Sequence, residues 1–100
     1  MDAVTKELQA LLVRMHYNPA TVSHQMEHYV SHLVRLLPPA DEETLLHYFG
    51  ILGHEQLSLH QIACERGEDD ETTMDAIDRS LRRLAVTPEW EMLRTIKKEE

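Results

Sequence analysis

Residues 58–84 read SLHQIACERGEDDETTMDAIDRSLRRL, and the reading of this stretch decides the fold. Ser58 is a good N-cap for a short helix with Leu59, Ile62 and Ala63 on one side. Gly67 supplies the left-handed residue that ends such a helix. A second, acidic helix follows, with Met74, Ile77, Leu81 and Leu84 on one stripe. Two helices joined by a tight turn around a glycine form a helix-turn-helix. In DNA-binding versions the second helix enters the major groove. Here that helix carries Asp70, Glu71, Asp75 and Asp78, where a DNA reader needs arginine, lysine or amides. The spacing argues for one function and the charge against it.

Upstream, two further helices are expected before residue 38. Asp2 caps the first, whose face is Val4, Leu8, Leu11 and Met15. Tyr17-Asn18-Pro19 interrupts it, and Asn18 as N-cap with Pro19 in the first helical position is expected to start the second. That helix carries Val22, Met26, Tyr29, Val30, Leu33 and Leu37 and must stop near Leu37, because Pro38 and Pro39 disfavour helix before them. A third helix begins at Pro39 or Ala40, acidic at its start and apolar at Leu45, Leu46, Tyr48 and Phe49. Gly50 and Gly53 bracket a turn. After Thr87-Pro88, Trp90, Leu93 and Ile96 define a last helix, with Glu99 and Glu100 expected to fray. No run alternates as a strand does. The expectation is one all-α domain of five to six short helices: an N-terminal helical hairpin (residues 1–37), a helix-turn-helix bundle (38–87) and a C-terminal helix with its tail (88–100).

The net charge is −8, and residues 40–87 hold eleven acids against four bases. Nucleic-acid binders draw much of their affinity from neutralising phosphates, a contribution this chain lacks overall. A lone cysteine, Cys64, excludes an intrachain disulfide framework; read as a small buried filler, it fits a cytoplasmic address. No long apolar run suggests a membrane span or a signal peptide. No phosphate loop, nucleophile elbow or paired-carboxylate cleft appears, so an enzyme is not expected.

Several of these residues together resemble the start of region 4 of bacterial sigma-70-type sigma factors. Leu36-Leu37-Pro38-Pro39, Glu43, Leu45-Leu46 and Tyr48-Phe49-Gly50 are similar to its opening, and Ser58-Leu59-His60-Gln61-Ile62-Ala63-Cys64-Glu65-Arg66-Gly67 to its first helix-turn-helix segment. Leu81 and Leu84 stand where that family places its closing leucines. The likeness spans residues 36–84, about half of the chain. It implies a four-helix domain that reads the −35 promoter element and docks on the flap of the RNA polymerase β subunit. The family's recognition helix is rich in arginine. Here its arginine positions hold Asp70, Thr72 and Met74, and its glutamine position holds Asp75. One bidentate arginine–guanine contact contributes about 1–3 kcal/mol of discrimination, and an aspartate near phosphates is repelled.

The reading favoured by this combination is a transcription-related regulator acting through protein contacts, with RNA polymerase, a sigma factor or an anti-sigma-type protein as partner. Its contact residues would be Asp70, Glu71, Met74, Asp75 and Asp78. The alternative is a promoter-reading regulator that uses Thr72, Thr73, Arg79, Arg82 and Arg83. A third reading is a homodimeric module with the N-terminal hairpin as interface. His24, His28 and His32 recur every four residues and are expected to form an exposed row on the second helix. Two histidines one turn apart can share a zinc, but no carboxylate completes an HExxH pattern and Cys64 is far along the chain, so the row reads as a solvated face, and no metal or cofactor is expected. The aromatic residues Tyr17, Tyr29, Tyr48, Phe49 and Trp90 are expected at or beside the core.

Overall fold

The computed structural model describes residues 2–99, the side chain of Glu99 apart, so of the expected fraying at Glu99 and Glu100 the part at Glu100 falls outside it, while the backbone of Glu99 is helical. Among the described residues there are six α-helices and no strand: α1 Ala3–Tyr17, α2 His24–Val34, α3 Pro39–Phe49, α4 Leu59–Arg66, α5 Asp70–Ala85 and α6 Pro88–Glu99. Side-chain oxygens cap most of the starts. Asp2, Ser23, Ser58 and Asp69 accept from the amides of Thr5, Met26, Gln61 and Thr72. At α4 the Gln61 side chain also reaches back to the Ser58 amide, completing a capping box. Pro38 and Pro39 open α3 above an acidic first turn, and Thr87 accepts from the Trp90 amide at the start of α6.

The second helix begins later than its sequence suggests. Pro19–Thr21 forms a single 3-10 turn with no side-chain cap from Asn18, and Ser23 caps α2 instead. Two neighbouring capping signals competed. Thr21 ties down the turn, its hydroxyl donating to the Asn18 carbonyl and accepting from Arg14. The chain therefore bends before Val22, which is buried just ahead of the helix.

Helix α5 is the axis of the molecule. It packs against α1, α3, α4 and α6, while α2 packs on α6. The two N-terminal helices are thus divided between different neighbours and belong to one shared core. That core joins Leu8, Leu11 and Leu12 of α1, Met26, Val30 and Leu33 of α2, Leu45 of α3, Ile77, Leu81 and Leu84 of α5, and Trp90 and Leu93 of α6. On α5, the small side chains of Thr73, Ala76 and Ser80 are buried beside Ile77, Leu81 and Leu84, which lets neighbouring helices approach on two sides. Met74 is only half-buried at the edge of this stripe. Arg94 and Lys97 of α6 both reach Glu7 of α1, closing the bundle at its polar rim. The Cα radius of gyration, 13.1 Å, is that of a closely packed chain of this length.

Candidate functional site

The α4–α5 corner is built by its backbone. Gly67 adopts φ +72°, its amide donates to Cys64 O, and the Glu68 amide donates to Ala63 O. This paired return to the last turn of α4 is a Schellman motif, and it satisfies carbonyls that would otherwise face water. Under the corner, Arg66 is half-buried. Its guanidinium pairs with Glu68 on one side and with Asp41 of α3 at 3.3 Å, and donates to Thr44 at 2.8 Å. The hydrogen bond with Glu68 and the charges of Glu68 and Asp41 raise the Arg66 pKa against the opposing effect of burial. Glu68 in turn accepts from the hydroxyl of Thr73. One cation thus fastens α3, α4 and α5 together from within, beside a cleft of about 390 Å³ lined in part by Glu43, His47 and Glu65.

The outer strip of α5 divides by charge. Its first half exposes Asp70, Glu71, Thr72 and Asp75, with Met74 and Asp78 half-exposed; its second half exposes Arg79, Arg82 and Arg83. Asp78 and Arg82 form an ion pair at 3.2 Å, whereas no ion pair closes between Asp75 and Arg79 among the described residues. The Thr5 amide holds the carboxyl of Asp2, the α1 cap, below its ordinary value, and the charge of Arg82 adds to that effect. The basic end of the helix is therefore partly spent on its own carboxylates. At the other end, Asp70 receives His60 of α4 at 3.0 Å, and His60 approaches Cys64 at 3.6 Å with its second nitrogen.

Thr73 and Cys64 lie differently from expectation. Thr73 is fully buried, so its side chain is closed to any duplex. The small residues that pack α5 turned it inward, and a hydroxyl on a polar stretch carries no sign of that. Cys64 is exposed, and the burial argument for a cytoplasmic address fails with it. It follows Ile62 and Ala63 by one step too many to share their face. Among the described residues, no helix is long and apolar enough to cross a membrane.

Asp69 matters to this face without belonging to it. Hydrogen bonds from the Thr72 side chain and amide hold its carboxyl below the ordinary value. A carboxyl lowered in the folded state contributes stability above the unfolded-state value and loses it as pH falls through the folded one. An asparagine in its place would cap without titrating. The Asp69→Asn variant is therefore expected to lose less helicity than the native chain on acidification below the usual aspartate range, read by circular dichroism; an identical acid transition would count against the cap.

A separate surface carries exposed apolar side chains. Tyr17 is 67% exposed and Val13 39%. They border a cleft between α1 and the α3–α4 connection that also meets Tyr48, Leu57 and Leu59. Tyr17 is therefore not a core residue, unlike Trp90 and Phe49, and Tyr29 and Tyr48 sit at the core edge. Tyr17 is the last residue of α1. Comparison with protein-family models, with curated proteins and with solved structures finds no match for this chain.

Proposed function

We propose that this chain is a sigma-region-4-like helix-turn-helix domain that works in transcription through protein contacts, by way of the acidic half of α5. RNA polymerase, a sigma factor or an anti-sigma-type protein are the candidate partners. The observation that carries the reading is the exposure of Asp70, Glu71 and Asp75 at the start of the second helix of the corner. Those are the positions from which a recognition helix reads bases. Carboxylates there oppose the phosphate field and steer basic protein surfaces instead. Arg79, Arg82 and Arg83 favour a duplex in isolation, but Arg82 is already paired with Asp78.

Two measurements test this. In a titration against labelled promoter-length duplex at low salt, the chain is expected to bind no more tightly than an acidic control protein of similar size. Sequence-selective capture of the duplex would overturn the reading. In a pull-down from bacterial lysate probed for polymerase subunits, the native chain is expected to retain them. A variant carrying Asp70→Asn, Glu71→Gln and Asp75→Asn is expected to retain them about tenfold less. These residues are exposed, so the variant is expected to fold, and equal retention would remove the acidic face from the argument.

A further inference from the structure

The row His24, His28 and His32 is exposed along α2, as its spacing suggests. The geometry adds something the spacing does not contain. His28 and His32 turn toward each other, and their Nε2 atoms stand 3.2 Å apart, with ring centroids at 4.5 Å. An ion bound at about 2.0–2.1 Å from each of two imidazole nitrogens holds them about 2.9 Å apart at a right angle and about 3.3 Å apart in a tetrahedron. The observed separation falls between those limits. His24 does not join them: its Nδ1 lies 3.9 Å from Glu27. The Ser31 hydroxyl donates to the His28 carbonyl.

We propose that His28 and His32 form a two-nitrogen chelate for a late first-row divalent cation, one ion per chain, with water filling the remaining positions. Imidazole pairs favour copper, nickel and zinc over hard cations such as magnesium, which prefer oxygen. The pair is held ready by the opposite side of the same helix. Met26, Val30, Leu33 and Val34 are buried, so α2 keeps its helical spacing while the histidines face solvent. Binding needs the lone pair of both Nε2 atoms, so a ring that carries its proton on Nε2 moves it to Nδ1, and the ion sits to one side of the line between the two nitrogens. The site revises the expectation of a merely solvated row, and it does not depend on the reading of α5.

The test uses the full chain carrying Cys64→Ser, which removes thiol ligation and oxidation. Nickel at several times its dissociation constant is expected to raise the melting temperature by roughly 5–10 °C, and magnesium not at all. The rise is expected to vanish in both His28→Gln and His32→Gln and to persist in His24→Gln. Calorimetric titration is expected to give one ion per chain. A rise that survives in His28→Gln would place the metal on other histidines and overturn the site. So would loss of the rise in His24→Gln, half an ion per chain, or no rise in the parent.

Discussion

Replacing Trp90 by alanine is expected to destabilise the fold by about 3–5 kcal/mol, the range for truncating a large buried aromatic. Trp90 has no solvent exposure and is among the largest fully buried side chains. It stands in the first turn of α6, which packs on α2 and α5. Truncation would therefore open a void where three helices meet, and rigid neighbours could close it only in part. The same residue carries a weakness. Its indole Nε1 is buried without a hydrogen-bond partner among the described residues. An unsatisfied buried donor costs about 1–3 kcal/mol. Phenylalanine removes that donor while keeping much of the apolar volume, so Trp90→Phe is expected to lose no more than about 1.5 kcal/mol. Urea unfolding followed by far-ultraviolet circular dichroism compares the three chains, since the variants lack the only tryptophan. A Trp90→Ala loss below about 1 kcal/mol would mean that α6 is not integral to the core.

The second large effect is expected at Gly50, and Gly67 is its control. Both glycines are left-handed, with φ +63° and +72°, so alanine at either carries a backbone penalty of about 1–2 kcal/mol. Around Gly67 nothing lies within 4 Å of where a Cβ would stand. At Gly50 the same atom would come within 2.6 Å of Gln56 Cβ, 3.0 Å of Gln56 Cα and 2.9 Å of His16 Nδ1. The α3–α4 connection folds back over this point, and His16 of α1 is hydrogen-bonded to the Gly50 carbonyl at 2.9 Å. A Cβ could be fitted only by moving backbone, adding about 1–3 kcal/mol of overpacking. Gly50→Ala is thus expected to cost about 2–5 kcal/mol in total, against about 1–2 for Gly67→Ala. Equal losses in thermal or urea unfolding would show that the crowding at Gly50 relaxes freely.

Much of the architecture could be read from local chemistry. Ser58 and Gly67 delimit α4, Pro38-Pro39 separates α2 from α3, and Thr87-Pro88 starts α6, because each acts on its own backbone within a turn or so. What local chemistry does not carry is the identity of the covering neighbour. Thr73 is buried because α5 packs on four helices, a fact that no window of adjacent residues contains. Tyr17, the last residue of α1, is exposed, and no window of adjacent residues contains that either. Asn18 and Ser23 are both residue types that cap helices, and only Ser23 does so here, behind a 3-10 turn tied down by the Arg14–Thr21 hydrogen bond. The acidic half of α5 was legible because exposed charge is the default state of Asp and Glu. The spacing allowed neighbouring histidines of the row to meet but did not say which two of the three would do so.

The division of α1 and α2 between different neighbours bears on how this segment could have spread. The part that resembles a promoter reader rests its rear side on Leu8, Leu11 and Leu12, supplied from outside it. It is not an interchangeable cassette that could be grafted elsewhere with its stability intact. Its solvent side, by contrast, carries charges whose ion pairs among the described residues are His60–Asp70 and Arg82–Asp78, so those charges can be exchanged while the apolar frame behind them stays in place.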